Sequence, residues 1–149
     1  MKKIIICLIG ILLLTGCGTS SNSEATFDMN AASKSLDAEM KDMVSMEDRE
    51  LEAIYGIDLS LMDEYVIKSN SNKDGSVYAI IKVSDKNKDE VKKQMDNFFE
   101  TLESQSSLYS PEAVGILEDR VQTSVGNYLI YISYKDTDKA YDLVKENIK

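Results

Sequence analysis

Histidine and tryptophan are absent from the 149 residues, proline occurs once and cysteine twice. Without histidine the chain has no imidazole to act as general base, metal ligand or neutral-pH switch. Both cysteines, Cys7 and Cys17, lie within the first seventeen residues, so neither a disulfide framework nor a cysteine nucleophile is expected in the body of the protein. There is no G-x-S-x-G elbow and no S-x-x-K, and the glycines at 56, 75, 115 and 126 are too dispersed to cradle a phosphate. Basic residues are also scarce, 17 against 26 acidic, for a formal charge of -9. Nucleic acid, which is held by clustered Lys and Arg, is not an expected ligand, and anionic headgroups would repel the domain.

What is present begins at the amino terminus. Lys2 and Lys3 precede an apolar run from Ile4 to Leu14, and Leu14-Thr15-Gly16-Cys17 closes it. A basic start and a short apolar stretch form a signal peptide, too short for a membrane-spanning helix. The four closing residues are similar to the lipobox of bacterial lipoproteins. Residues 1–16 are therefore expected to be cleaved and the Cys17 thiol to carry a lipid, holding the protein on the outer face of the cell membrane. Acyl chains, rather than basic residues, would anchor it. Loss of Lys2 and Lys3 leaves 15 basic and 26 acidic residues, a charge of -11.

Residues 17–28 read as the lipidated cysteine and a tether, since Gly18-Thr19-Ser20-Ser21-Asn22-Ser23 offers nothing to a core. Residues 29–149 are expected to form one α+β domain. Leu36, Met40, Met43 and Val44 fall on one helical stripe, and the four methionines between Met29 and Met46 suit core packing. Ser45 and Asp48 suggest a capped helix restart, Leu51, Ile54 and Tyr55 its apolar face, and Gly56-Ile57 its end. From Glu64 the period changes to two. Strands are expected at Glu64–Ser69 and Val77–Ser84 around a turn containing Asp74-Gly75, and at Arg120–Val125 and Tyr128–Lys135 around Gly126-Asn127. Asn87 with Glu90 opens a helix bearing Val91, Met95, Phe98, Phe99 and Leu102, Ser110-Pro111 opens a short one, and a last helix follows Asp136.

The expected architecture is an antiparallel four-stranded sheet built from two strand-strand-helix units, preceded by N-terminal helices. Alternation is read as placing Val77, Ala79, Ile81, Val83, Ile130 and Ile132 against the long helices. Tyr78, Ile80, Leu129 and Tyr131 then form the opposite face, either covered by the N-terminal helices or free to contact a partner protein.

Three constellations bear on chemistry. Glu100 with Glu103, and Asp136 with Asp138, are carboxylate pairs, but the first suits the polar side of a helix and the second a helix N-terminus. Asn70 to Gly75 matches the start of a calcium loop and fails at its twelfth position, Ile81, so a polar hairpin is expected and no metal site. Eight tyrosines invite a sugar-binding reading, although strand propensity accounts for Tyr65, Tyr78, Tyr128, Tyr131 and Tyr134. Neither a catalytic site nor a cofactor is expected.

From about Ile54 to Val144 the chain resembles a family of small lipoproteins of Gram-positive bacteria grouped as domain of unknown function 4358. The residues carrying the likeness are Tyr55-Gly56-Ile57, Val77 to Asp85, Tyr109-Ser110-Pro111, and Gly126-Asn127-Tyr128 leading to Asp136. The resemblance implies an extracytoplasmic lipoprotein and brings no catalytic residues. The functional expectation is a non-enzymatic binding or accessory protein that contacts an envelope protein. The alternatives are a receptor for a small ligand or cell-wall polymer, and a carboxylate enzyme.

Overall fold

A computed structural model describes residues 26–149. The signal segment, Cys17 and all but the last three residues of the expected tether lie outside the described residues. Helix α1 (Met29–Glu39) opens with Asp28 accepting from the Ala31 N–H at 2.9 Å. Its buried side chains, Met29, Ala32, Ser33 and Leu36, follow the helical repeat. The expected stripe breaks after Met40. Asp42 takes a left-handed φ of 61°, a conformation Asp tolerates better than most residues. The chain then turns into β1 (Met43–Ser45), so Met43 and Val44 are strand rather than helix. This strand pairs with β2 (Glu64–Asn70) and makes the sheet five-stranded where four strands were expected.

Between them α2 (Asp48–Ala53) buries Leu51 and begins after Glu47, with no side-chain cap; Ser45 lies in β1. The chain reverses at Gly56, whose φ is +67°, and the Ile57 N–H donates to Leu51 O at 3.0 Å. β2 and β3 (Val77–Lys82) form the expected hairpin. Asn70 Oδ1 accepts from the Asn72 N–H at 2.7 Å and Asp74 Oδ1 from the Ser76 N–H at 2.8 Å, so these oxygens shape the turn.

α3 (Lys88–Ser106) buries Val91, Met95, Phe98 and Phe99 as its spacing predicts. Asn87 stands at its N-cap without a side-chain cap; its amide donates to Leu61 O at 3.1 Å instead. α4 (Pro111–Glu118) has Pro111 in its first turn and the Ser110 hydroxyl accepting from the Ala113 N–H. β4 (Val121–Val125) and β5 (Tyr128–Ser133) enclose the two-residue turn at Gly126-Asn127, and α5 (Thr137–Lys145) is capped by Asp136. All pairings are antiparallel, in the order β1-β2-β3-β5-β4.

Helices cover both faces. On one, Val77, Ala79, Ile81, Leu129 and Tyr131 pack with Phe98, Phe99 and Leu117 from α3 and α4. On the other, Tyr78, Ile80, Ile130 and Ile132 pack with Leu36, Ala140 and Val144 from α1 and α5. Packing starts ahead of the expected domain boundary at residue 29. Phe27 is buried edge-on against Tyr128, and Thr26 and Lys149 exchange backbone hydrogen bonds at 2.9 and 2.8 Å.

This arrangement corrects the proposed interaction face. The register sets Tyr78 opposite Ile132 and Ala79 opposite Tyr131, so Tyr78 and Ile80 lie on one side of the sheet while Leu129 and Tyr131 lie on the other. All four are buried. No continuous surface joins them, because a one-residue difference in register exchanges every side chain between faces.

Candidate functional site

A concavity lined by fifteen residues lies where the β2–β3 turn meets α2 and the end of α3. Its volume is about 250 Å³, just under the roughly 300–1,000 Å³ of sites for drug-sized ligands. Its size suits a small molecule or the end of a chain.

Each wall has a local cause. Met46 leads out of β1 with its N–H donating to Ile67 O at 3.0 Å, which brings α2 alongside the sheet. Leu51 fixes α2 in the core and the Tyr65 hydroxyl donates to Asp48 Oδ1 at 2.8 Å, leaving Glu50, Ile54 and Tyr55 along the opening. Burial, followed by the Asp48 hydrogen bond and charge, pushes Tyr65 up to about 12. Opposite stand Leu102, Gln105 and Ser106 of α3, then Tyr109 in the connection to α4.

The floor is the hairpin, contributing Ser69, Asn70, Gly75 and Ser76. Gly75 has a φ of +89°, and a Cβ there would meet the Ala113 carbonyl oxygen at 2.5 Å, so α4 rests directly on the turn. The Ser133 hydroxyl, 2.5 Å from Gly75 O and 3.0 Å from Ile116 O, ties β5 to the same junction.

The lining joins apolar surface to uncommitted polar groups. Ile54 and Tyr109 are each 58% exposed, and neighbouring Leu108 is 85% exposed. Ser76 and Ser106 are 3% and 6% exposed, yet among the described residues their hydroxyls make no hydrogen bond, while no enclosed side-chain polar atom lacks a partner. Their hydroxyls therefore reach solvent, and the opening they line is the cleft. The Tyr55 hydroxyl is raised above its ordinary value by burial and then by the charges of Glu50 and Tyr109, which line the same cleft.

The cleft lies far from the start of the described chain. Thr26, Phe27, Glu64, Tyr128 and Lys149 meet at one end of the sheet, whereas Asn70 and the turn that follows it lie at the other. Seven residues of β2 separate the ends by roughly 20 Å at about 3.3 Å per residue.

None of the sequence-proposed interaction residues enters this cleft: Tyr78, Ile80, Leu129 and Tyr131 are core. Tyr78 has a specific role there, donating to Asp37 Oδ1 at 2.8 Å and bonding the Ser33 hydroxyl at 2.9 Å, while Lys68 pairs with Asp37 at 2.6 Å. Of the paired carboxylates, Glu103 pairs with Arg120 at 2.6 Å and Asp136 caps α5, so one member of each pair has a structural partner. Among the described residues no cluster of three or more Asp or Glu side chains is arranged to hold a metal, and no helix is long and apolar enough to cross a membrane. Ile54, whose spacing from Leu51 places it on the apolar face of α2, is instead exposed at the cap of that helix, so the helical repeat hides its part in the cleft.

The chain belongs to the family described as Domain of unknown function (DUF4358), which it matches over residues 34–134. That span takes in most of the methionine-rich amino-terminal segment, which the residue-level resemblance had left out, and it stops before α5. It contains the whole cleft lining. No curated protein and no solved structure matches the chain.

Proposed function

We propose that this protein is a non-enzymatic lipoprotein, anchored through Cys17 on the outer face of the cell membrane, that binds a small ligand or the end of a cell-wall polymer in the cleft between α2, the β2–β3 turn and α3. The observation carrying this reading is polarity of position: the chain leads back toward Cys17 from one end of the sheet, and the cleft opens at the other. Two acyl chains suffice for stable anchoring, and residues between Cys17 and Thr26 give the domain its distance from the bilayer. A cleft on the distal end then faces the envelope rather than the lipid.

Non-covalent binding fits the chemistry better than catalysis. The lining supplies hydroxyls, two carboxamides, aromatic faces, one carboxylate and one ammonium, with no imidazole or thiol beside them. A second reading, contact with an envelope protein, is favoured by exposed Ile54, Leu108 and Tyr109, which gather aliphatic and aromatic surface on the cleft side. Metabolic labelling with a fatty-acid analogue tests the anchor: Cys17→Ala is expected to abolish incorporation, and equal labelling of variant and wild type rejects it. For the cleft, Tyr109→Ala removes an exposed wall without touching the core. Unchanged binding of a ligand captured by the wild type would move the site elsewhere.

A further inference from the structure

We infer that the cleft recognises a zwitterion of the amino-acid or short-peptide class, with Glu50 receiving its ammonium and Lys73 its carboxylate. This rests on the proposal that the cleft is a binding site. The lining contains one anionic and one cationic side chain, Glu50 from α2 and Lys73 from the β2–β3 turn. Among the described residues neither is ion-paired, with the other or with any third group, so the two charges stand more than 4.0 Å apart. A ligand carrying both charges at its ends is complementary to that arrangement. A purely anionic ligand would meet Glu50, and a purely cationic one would leave Lys73 without a counter-ion.

The remaining lining supports the same chemistry. The hydroxyls of Ser76 and Ser106, without partners among the described residues, offer donors and acceptors to a peptide unit. Tyr55 and Tyr109 set aromatic surface near Glu50, where an ammonium gains from both the carboxylate and the ring faces. Ile54, Leu102 and Met46 provide the apolar wall for an aliphatic side chain. The volume of about 250 Å³ limits the ligand to one or two residues or the end of a longer peptide.

The test is calorimetric titration of the full lipidated protein in detergent micelles with leucyl-alanine, its N-acetylated form, its C-amidated form, and N-acetylglucosamine. Saturable binding of the unblocked dipeptide is expected, with each blocked form weaker by about tenfold, the ratio for losing one charge-assisted contact of roughly 1.5 kcal/mol. Glu50→Gln should remove the preference for the free amine and leave that for the free carboxylate. Lys73→Met should do the reverse. Blocked and unblocked peptides binding equally, or the sugar binding while peptides do not, would overturn the zwitterion. In the sugar case, sensitivity to Tyr109→Ala would preserve the cleft as a site. Silence toward all four compounds would overturn the zwitterion, and a ligand captured from envelope extracts and lost in Tyr109→Ala would then still uphold the cleft.

Discussion

The two faces of the sheet are buried to the same degree by different means. Under α3 and α4 the contact is apolar and aromatic: Tyr55, Phe98, Phe99 and Tyr131 touch in succession, with ring centroids 4.8, 5.1 and 5.8 Å apart, and the Arg120 guanidinium lies 4.7 Å above the Phe99 ring. Under α1 and α5 the packing is aliphatic around a polar chain from Ser33 through Tyr78 and Asp37 to Lys68. The aromatic face gains stability from area and shape. The other gains orientation, because Asp37 must sit over Tyr78 and Lys68 for the buried hydroxyl to be satisfied. The cleft grows from the aromatic face, where Tyr55 is at once the end of the ring series and a cleft wall.

The largest expected effect tests the aromatic face. Phe98 and Phe99 are fully buried, and alanine at either should cost about 3–5 kcal/mol in denaturant melts, a large share of a small domain's stability. A cost below about 1 kcal/mol for both would mean α3 does not pack as described. Next, Gly75→Ala should destabilise by about 1–3 kcal/mol from its left-handed backbone alone, and by more because its Cβ would strike the Ala113 carbonyl. That variant loosens the hairpin against α4, so ligand binding in the cleft should fall with stability.

On the polar face, Tyr78→Phe removes the donor that Asp37 receives and the partner of Ser33. A loss of about 1–3 kcal/mol is expected, toward the lower end because Asp37 is partly exposed and keeps Lys68. If the variant is as stable as wild type, the polar chain contributes nothing net. Alkaline pH sharpens the same contrast. Burial is the main cause raising Tyr78 and Tyr131, and it raises Tyr65 to about 12. A phenol whose folded value is raised holds its proton better when folded, so its contribution is complete below the ordinary value near 10 and declines as pH climbs past it. Circular dichroism melts between pH 9 and 12 should show falling stability, less steeply in Tyr65→Phe.

Much of this was legible in sequence where one element carries its own signal. The helix of Val91, Met95, Phe98 and Phe99 follows from spacing, the α4 start from Ser110-Pro111, and the β4–β5 turn from Gly126-Asn127. Three features were not. β1 is three residues long, too short for alternation to register, and the helical spacing of Leu36, Met40, Met43 and Val44 continues across a break made by the left-handed Asp42. Alternation within β3 and within β5 was visible as well, but which faces join depends on the register between strands, and Ala79 opposite Tyr131 reverses the expected partnership. The cleft was hidden for a related reason: its residues come from segments around 46–55, 69–77 and 102–117 that only the fold assembles.

The smallest stability effects belong to the cleft itself, and that is their diagnostic value. Glu50 and Lys73 have no ion-pair partner among the described residues and do not belong to the buried core. Surface substitutions of this kind usually change stability by no more than about 0.5 kcal/mol. Glu50→Gln and Lys73→Met should therefore melt as wild type does while changing ligand preference, separating a binding role from a structural one. If either lowers stability by more than about 1 kcal/mol, its charge is supporting the fold, and the division between a rigid aromatic face and the functional opening at its edge does not hold.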